Sequence, residues 1–129
     1  DFGFSTFSPS ELSISEDSYR PEKEGFEIGF ETSASDAIRL KWAYQMGLLE
    51  LSSEQSTNHP GLLVFDEPRQ QSSSRPSFKN LLGRAAGAKS RGQQVIFSTS
   101  EDIEILRPIT AEIDCNEVIF PGYILQKID

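Results

Sequence analysis

The chain has 129 residues, 36% of them hydrophobic and 10% aromatic, enough for one core of ordinary size and so for one domain or a piece of one. Its 12 basic and 20 acidic residues leave a net charge of −8, which argues against a domain held on nucleic-acid phosphate or anionic membrane by its overall field; any such contact has to be local. A single cysteine, Cys115, excludes an internal disulfide framework and a cysteine-rich zinc site, the lone His59 excludes most histidine-based metal centres, and no stretch reaches the roughly 20 apolar residues of a membrane span. This usage fits a reducing, cytoplasmic setting, and the start Asp1-Phe2-Gly3, without methionine or a signal-type apolar run, reads as that of a fragment.

Residues 1–25 are rich in Ser, Pro, Glu and isolated aromatics, and they read as an irregular N-terminal segment with one edge strand at most, around Leu12 and Ile14. The remainder, 26–129, reads as one lobe. Phe26 to Phe30 alternates apolar and polar residues as a half-buried strand does, and a serine-rich turn follows. From Asp36 to Leu51, Ile38, Trp42, Met46 and Leu49 fall on one line and Leu40, Tyr44, Leu48 and Leu51 on the next, a broad apolar helical face. Ser33 with Asp36 three residues on resembles a capping box. Gly61 to Phe65 is a continuous apolar run ending in Asp66-Glu67-Pro68, which fits a strand buried on both faces of a parallel sheet.

Phe78, Leu81, Leu82, Ala85 and Ala86 recur at helical spacing, with Pro76 suited to the first turn and Gly92 to the C-terminal cap. Gln94 to Ser98 is the next strand, and strand, helix, strand in this length implies a right-handed crossover into a parallel neighbour. Ser100, followed by Glu101 and Asp102, opens a short helix that Pro108 should stop, and Val118–Phe120 and Tyr123–Leu125 around Pro121-Gly122 read as a terminal β-hairpin. The fold class expected is therefore α/β, a mostly parallel sheet flanked by helices, ending in a hairpin.

Leu62-Leu63-Val64-Phe65-Asp66-Glu67 matches the Walker B pattern. A buried strand holds its carboxylates rigid at the C-terminal end, where open α/β sheets bind ligands. There an aspartate can hold Mg²⁺, directly or through water, and a glutamate can orient and deprotonate the water that attacks a γ-phosphate. The plainer alternative is that the two acids end a strand and begin a turn.

Thr32 to Asp36 precedes this strand by one apolar helix, and Val95 to Glu101 follows it by another. In this order the chain resembles the C-terminal lobe of an ABC-type ATPase head, a P-loop NTPase half-domain of the kind found in coiled-coil ATPases of the SMC and RecN class, over residues 26–105. The runs Ser35 to Tyr44 and Phe65 to Gln71 look like an SMC-like bacterial subgroup. The resemblance implies ATP and Mg²⁺ as cofactors, with Asp66 as metal ligand and Glu67 as general base. It makes Ser33, flanked by Ala34 and Ser35, the signature serine that contacts the γ-phosphate on the opposing subunit, and residues 69–75 the D-loop. It further implies a homodimer of heads, a Walker A lobe ahead of a coiled coil that precedes residue 1, and a parent protein acting on DNA in repair, chromosome maintenance or defence.

Two positions depart from that pattern. Ala34 and Ser35 replace the usual pair of glycines, and Ser100 stands where the family's switch histidine follows threonine. A serine can hydrogen-bond phosphate but carries no proton charge near neutrality. A P-loop is missing: Gly83 to Ser90, GRAAGAKS, has alanine between glycine and lysine and lies inside a helical pattern. Arg75, Lys79, Arg84, Lys89 and Arg91 form a basic stretch with no acid among them, read as a solvated face with a DNA or phosphate contact as the alternative. The competing function is a non-catalytic dimerisation or interaction module that keeps the lobe's fold.

Overall fold

The structure is a computed structural model and describes residues 2–28, 32–69, 74–120 and 122. Among these residues it is mixed α/β, with two small sheets and three α-helices. Strands β1 (Leu12–Ile14), β2 (Pro21–Lys23) and β3 (Phe26–Glu27) form an antiparallel sheet, with Ser13 opposite Glu22 and Lys23 opposite Phe26. The N-terminal segment is thus more regular than expected. Glu24 and Gly25, at φ 52° and 82°, make the two-residue, positive-φ turn that suits a tight hairpin. Pro21 sits at the first position of its strand, where a missing N–H is tolerated. Of the half-buried strand expected over Phe26–Phe30, Phe26 and Glu27 are strand and Ile28 is turn, and Phe26 is 77% exposed; Gly29 and Phe30 lie outside the described residues.

Helix α1 (Ala34–Glu54) follows, capped by Ser33, whose hydroxyl accepts the Asp36 amide at 3.1 Å. Only half of a capping box forms, because the Asp36 carboxylate turns to the N-terminal segment and to Arg39. Of the two apolar lines on α1, the one through Trp42, Met46 and Leu49 is buried; Leu48 and Leu51 on the other stay exposed. Helix α2 (Arg75–Ala86) is capped by Ser74, has Pro76 in its first turn, and runs into a 3-10 turn, Gly87–Arg91, closed by Gly92 in the left-handed region at φ 69°. The P-loop look-alike is therefore helix and 3-10 turn throughout, and what directly precedes Gly83 is helix rather than a strand.

Between the helices, β4 (Leu62–Asp66) pairs in parallel with β5 (Gln94–Ser98), placing Phe65 opposite Phe97 and Asp66 opposite Ser98. The parallel sheet has two strands among the described residues, fewer than the mostly parallel sheet expected. Nor is β4 buried on both faces. Leu63, Phe65, Val95 and Phe97 join the core with Trp42, Met46, Leu49, Phe78, Leu81 and Ile109, while the alternate residues Leu62, Val64 and Ile96 remain 40%, 59% and 41% exposed. The physical reason is that the helices cover one face only. Phe65 stacks on Phe97 at 5.1 Å, and Phe78 meets the Phe97 ring edge-on at 6.3 Å, so the aromatic centre of the core lies directly beneath the end of β4.

Helix α3 (Ile103–Thr110) starts later than expected, with Asp102 rather than Ser100 as its cap. Pro108 lies inside it and does not stop it. The proline lacks the N–H that would bond Glu104 four residues back, yet Ala111 still donates to the Arg107 carbonyl at 2.9 Å. Residues 118–120 are exposed and form no strand, and the second arm of the expected hairpin lies outside the described residues. No helix among the described residues is long and apolar enough to cross a membrane.

Candidate active site

β4 carries the chain out of the core at Phe65 and delivers Asp66 and Glu67 at its C-terminal end. The parallel register sets Ser98 beside Asp66, and the Ser98 hydroxyl donates to Asp66 Oδ1. One residue further the backbone turns sharply. Glu67 adopts φ 45°, a left-handed conformation that costs a non-glycine residue about 1 kcal/mol, and its amide donates to the Ser98 carbonyl at 2.9 Å. That bond extends the β4–β5 ladder by one step and holds the turn.

The Glu67 carboxylate is held at both oxygens. The Ser100 amide donates to Oε1 at 2.7 Å, and the Thr99 hydroxyl donates to Oε2 at 3.3 Å. Pro68 is buried, and Arg69 then turns back to donate from Nη1 to both carboxylate oxygens of Glu101, with its guanidinium 5.8 Å from the Phe78 ring centre. The segments after β4 and after β5 are therefore tied together around Glu67. A groove of about 240 Å³ adjoins them, lined by Lys41 and Gln45 of α1 and by Val64, Asp66, Glu67 and Pro68.

Of the residues singled out from the sequence, Asp66, Glu67 and Ser100 come together. Ser33, Ala34 and Ser35 lie at the start of α1, and no hydrogen bond among the described residues joins them to the two carboxylates. Ser33 and Ala34 are exposed, and the first amides of α1 have no acceptor within the helix. Ser100 is also exposed, but it meets Glu67 through its backbone amide. Of the segment 69–75 expected as the D-loop, residues 70–73 lie outside the described residues.

Among the described residues, no three His, Cys, Asp or Glu side chains gather as a metal cage. Mg²⁺ does not need one: it takes one or two carboxylates and completes its octahedron with water and nucleotide phosphates. An exposed Asp66 with the Ser98 hydroxyl beside it is a hard-oxygen donor set of that kind.

The sequence reading missed Ser98, Thr99 and the Arg69–Glu101 pair. Aligning the run ending at Phe65-Asp66 with the run ending at Phe97-Ser98, in parallel, would have found the first of these. The basic stretch after Ser74 is the solvated face expected, with Arg75, Lys79, Arg84 and Lys89 exposed, and most of its cations are ion-paired. Lys79 pairs with Glu112 at 2.6 Å, Arg84 with Glu50 at 2.6 Å and Lys89 with Asp114 at 2.7 Å, while Arg91 lies 3.9 Å from Glu50. These pairs lie on the surface, and only Glu50 among their acids is largely shielded, its side chain 23% exposed. No family model, curated protein or solved structure matches the chain.

Proposed function

We propose that this chain is the C-terminal lobe of an SMC-like ABC-type ATPase head, which hydrolyses ATP in a head dimer together with a Walker A lobe that the chain itself does not contain. The observation that carries this reading is the pair Asp66 and Glu67 at the C-terminal end of a parallel strand, each carboxylate anchored by the end of the neighbouring strand. Mg²⁺ bound at Asp66 would neutralise charge on the nucleotide phosphates. Glu67, oriented by Thr99 and Ser100, accepts a proton from the attacking water. Ser33 contacts the γ-phosphate held by the opposing head, which accords with its distance in the bonding network from its own chain's carboxylates. The exposed face through Leu62, Val64 and Ile96 gives a Walker A lobe an apolar surface to cover. DNA is the partner of the assembled protein in this reading, in a cytoplasmic setting, and the ion-paired basic stretch is not the surface that binds it.

A second reading, a non-catalytic dimerisation module, is favoured by Ser100, whose side chain cannot carry charge where the family places histidine. Calorimetry separates the two. Alone the chain should not bind Mg-ATP in the micromolar range, because no P-loop amides cradle the phosphates. With its Walker A lobe it should bind and turn over. Binding by the chain alone would misplace the site, and binding without turnover by the assembly would favour the module.

A further inference from the structure

The ring of contacts around Glu67 closes through Arg69 and Glu101, a pair to which the motif reading assigns no role. Glu101 donates its amide to the Thr99 hydroxyl oxygen at 3.2 Å, which leaves the Thr99 proton aimed at Glu67 Oε2. Ser100, between them, gives its amide to Oε1. The place of Glu101 is fixed in turn by Arg69, two residues beyond Glu67 itself, and Arg69 rests near the Phe78 ring in the core. The ion pair is well shielded, with side chains 16% and 25% exposed, unlike the surface pair Lys89–Asp114 at 76% and 75%. Shielding and a π-face contact make this pair a geometric constraint, whereas fully exposed pairs contribute little.

We propose that the Arg69–Glu101 ion pair is a clasp that positions the Glu67 carboxylate, acting through Thr99 and Ser100. This rests on the reading of Glu67 as the proton acceptor. Arg69 and Glu101 are positioning residues, since the carboxylate's hydrogen bonds come from Thr99 and Ser100. With one hydrogen bond at each oxygen, the carboxylate is fixed in orientation while keeping lone pairs for a water. Displacement of a reacting group by about 1 Å can cost about a hundredfold in rate, so the clasp bears on turnover more than on nucleotide affinity.

The test uses the intact protein and two readouts, amide exchange at Ser100 and phosphate release with Mg-ATP, on Arg69→Ala, Glu101→Gln and the charge reversal Arg69→Glu with Glu101→Arg. Each single variant should speed Ser100 exchange about tenfold while core amides such as that of Leu81 keep their protection. Each should lower turnover about tenfold to a hundredfold with the dissociation constant for Mg-ATP unchanged, and the charge reversal should restore much of the loss. In a Glu67→Gln background, Arg69→Ala should cost nothing further. Unchanged Ser100 exchange, or an equal loss of turnover in that background, would overturn the clasp. If the wild-type protein releases no phosphate, the reading of Glu67 as base fails, and Ser100 exchange alone decides whether the clasp exists.

Discussion

The Thr6 hydroxyl donates to Asp36 Oδ2 at 2.5 Å, joining the N-terminal segment to the first turn of α1 across thirty positions of sequence. The Ser5 and Thr6 amides add bonds at 3.2 and 3.0 Å, and Arg39 reaches Oδ1 at 2.7 Å. Burial pushes the Asp36 carboxyl up, but the Thr6 hydroxyl, Arg39 and the Ser5 amide outweigh it and hold it below its ordinary value. The Arg84 hydrogen bond, against some burial, holds Glu50 low as well.

A carboxyl lowered by folding contributes stability that is complete above its unfolded value, about 4, and is lost as pH falls through the folded value. Thermal melting should therefore show the transition temperature falling below about pH 4. Asp36→Asn should lower it at neutral pH and flatten the acid limb. An acid limb unchanged in Asp36→Asn would show that this carboxylate carries no such linkage.

Ser33 caps α1 and, in the proposed head, also reaches across the dimer. Losing the cap alone costs about 1 kcal/mol, a few degrees of melting temperature. Ser33→Arg should show that modest loss and yet abolish turnover by the assembled protein, with ATP binding to each separate head retained. Ser33→Asn, which keeps a capping side chain, should recover the melting temperature and only part of the turnover. Equal loss of binding and turnover in Ser33→Arg would leave Ser33 as a structural cap.

The ion-paired arrangement of Lys79, Arg84 and Lys89 predicts that DNA affinity does not run through α2 and the 3-10 turn that follows it. Replacing all three by Gln should leave the salt dependence of DNA binding by the assembled protein unchanged, whereas three phosphate contacts would lower the slope by about 3. Of the three links broken, only that of Arg84 to the shielded Glu50 should lower the melting temperature, because the pairs made by Lys79 and Lys89 are exposed. A shallower salt slope would restore this stretch as a nucleic-acid surface.

Much of this layout is legible from residue order because it follows local rules. The spacing of Trp42, Met46 and Leu49, and of Phe78, Leu81, Leu82 and Ala85, gives α1 and α2, and the run into Asp66-Glu67 places two acids at a strand end. Period and turn chemistry do not say how many faces are covered, so the continuous run from Leu62 to Phe65 reads as doubly buried although Val64 is open. The antiparallel sheet was obscured by strands of three, three and two residues, below the length at which alternation is visible, with Glu24-Gly25 as its one clear turn signal. Pro108 misled because a proline late in a short helix removes a single bond. The contacts of Glu67 with Thr99 and Ser100, and of Arg69 with Glu101, span more than thirty residues and depend on the β4–β5 register, which neither strand specifies alone.

The role of Glu67 is the point on which the account stands, and Glu67→Gln in the intact protein tests it most directly. The substitution keeps the size and the Ser100 hydrogen bond but removes the proton acceptor, so turnover should fall by about 10² to 10⁴, or roughly 3 to 5 kcal/mol of barrier. Size-exclusion chromatography with light scattering, run in Mg-ATP beside a phosphate-release assay, should show the variant accumulating as a closed head dimer. Asp66→Asn should instead weaken Mg²⁺ dependence and trap the dimer less well. Wild-type phosphate release by Glu67→Gln would contradict the account and leave the chain as a non-catalytic module.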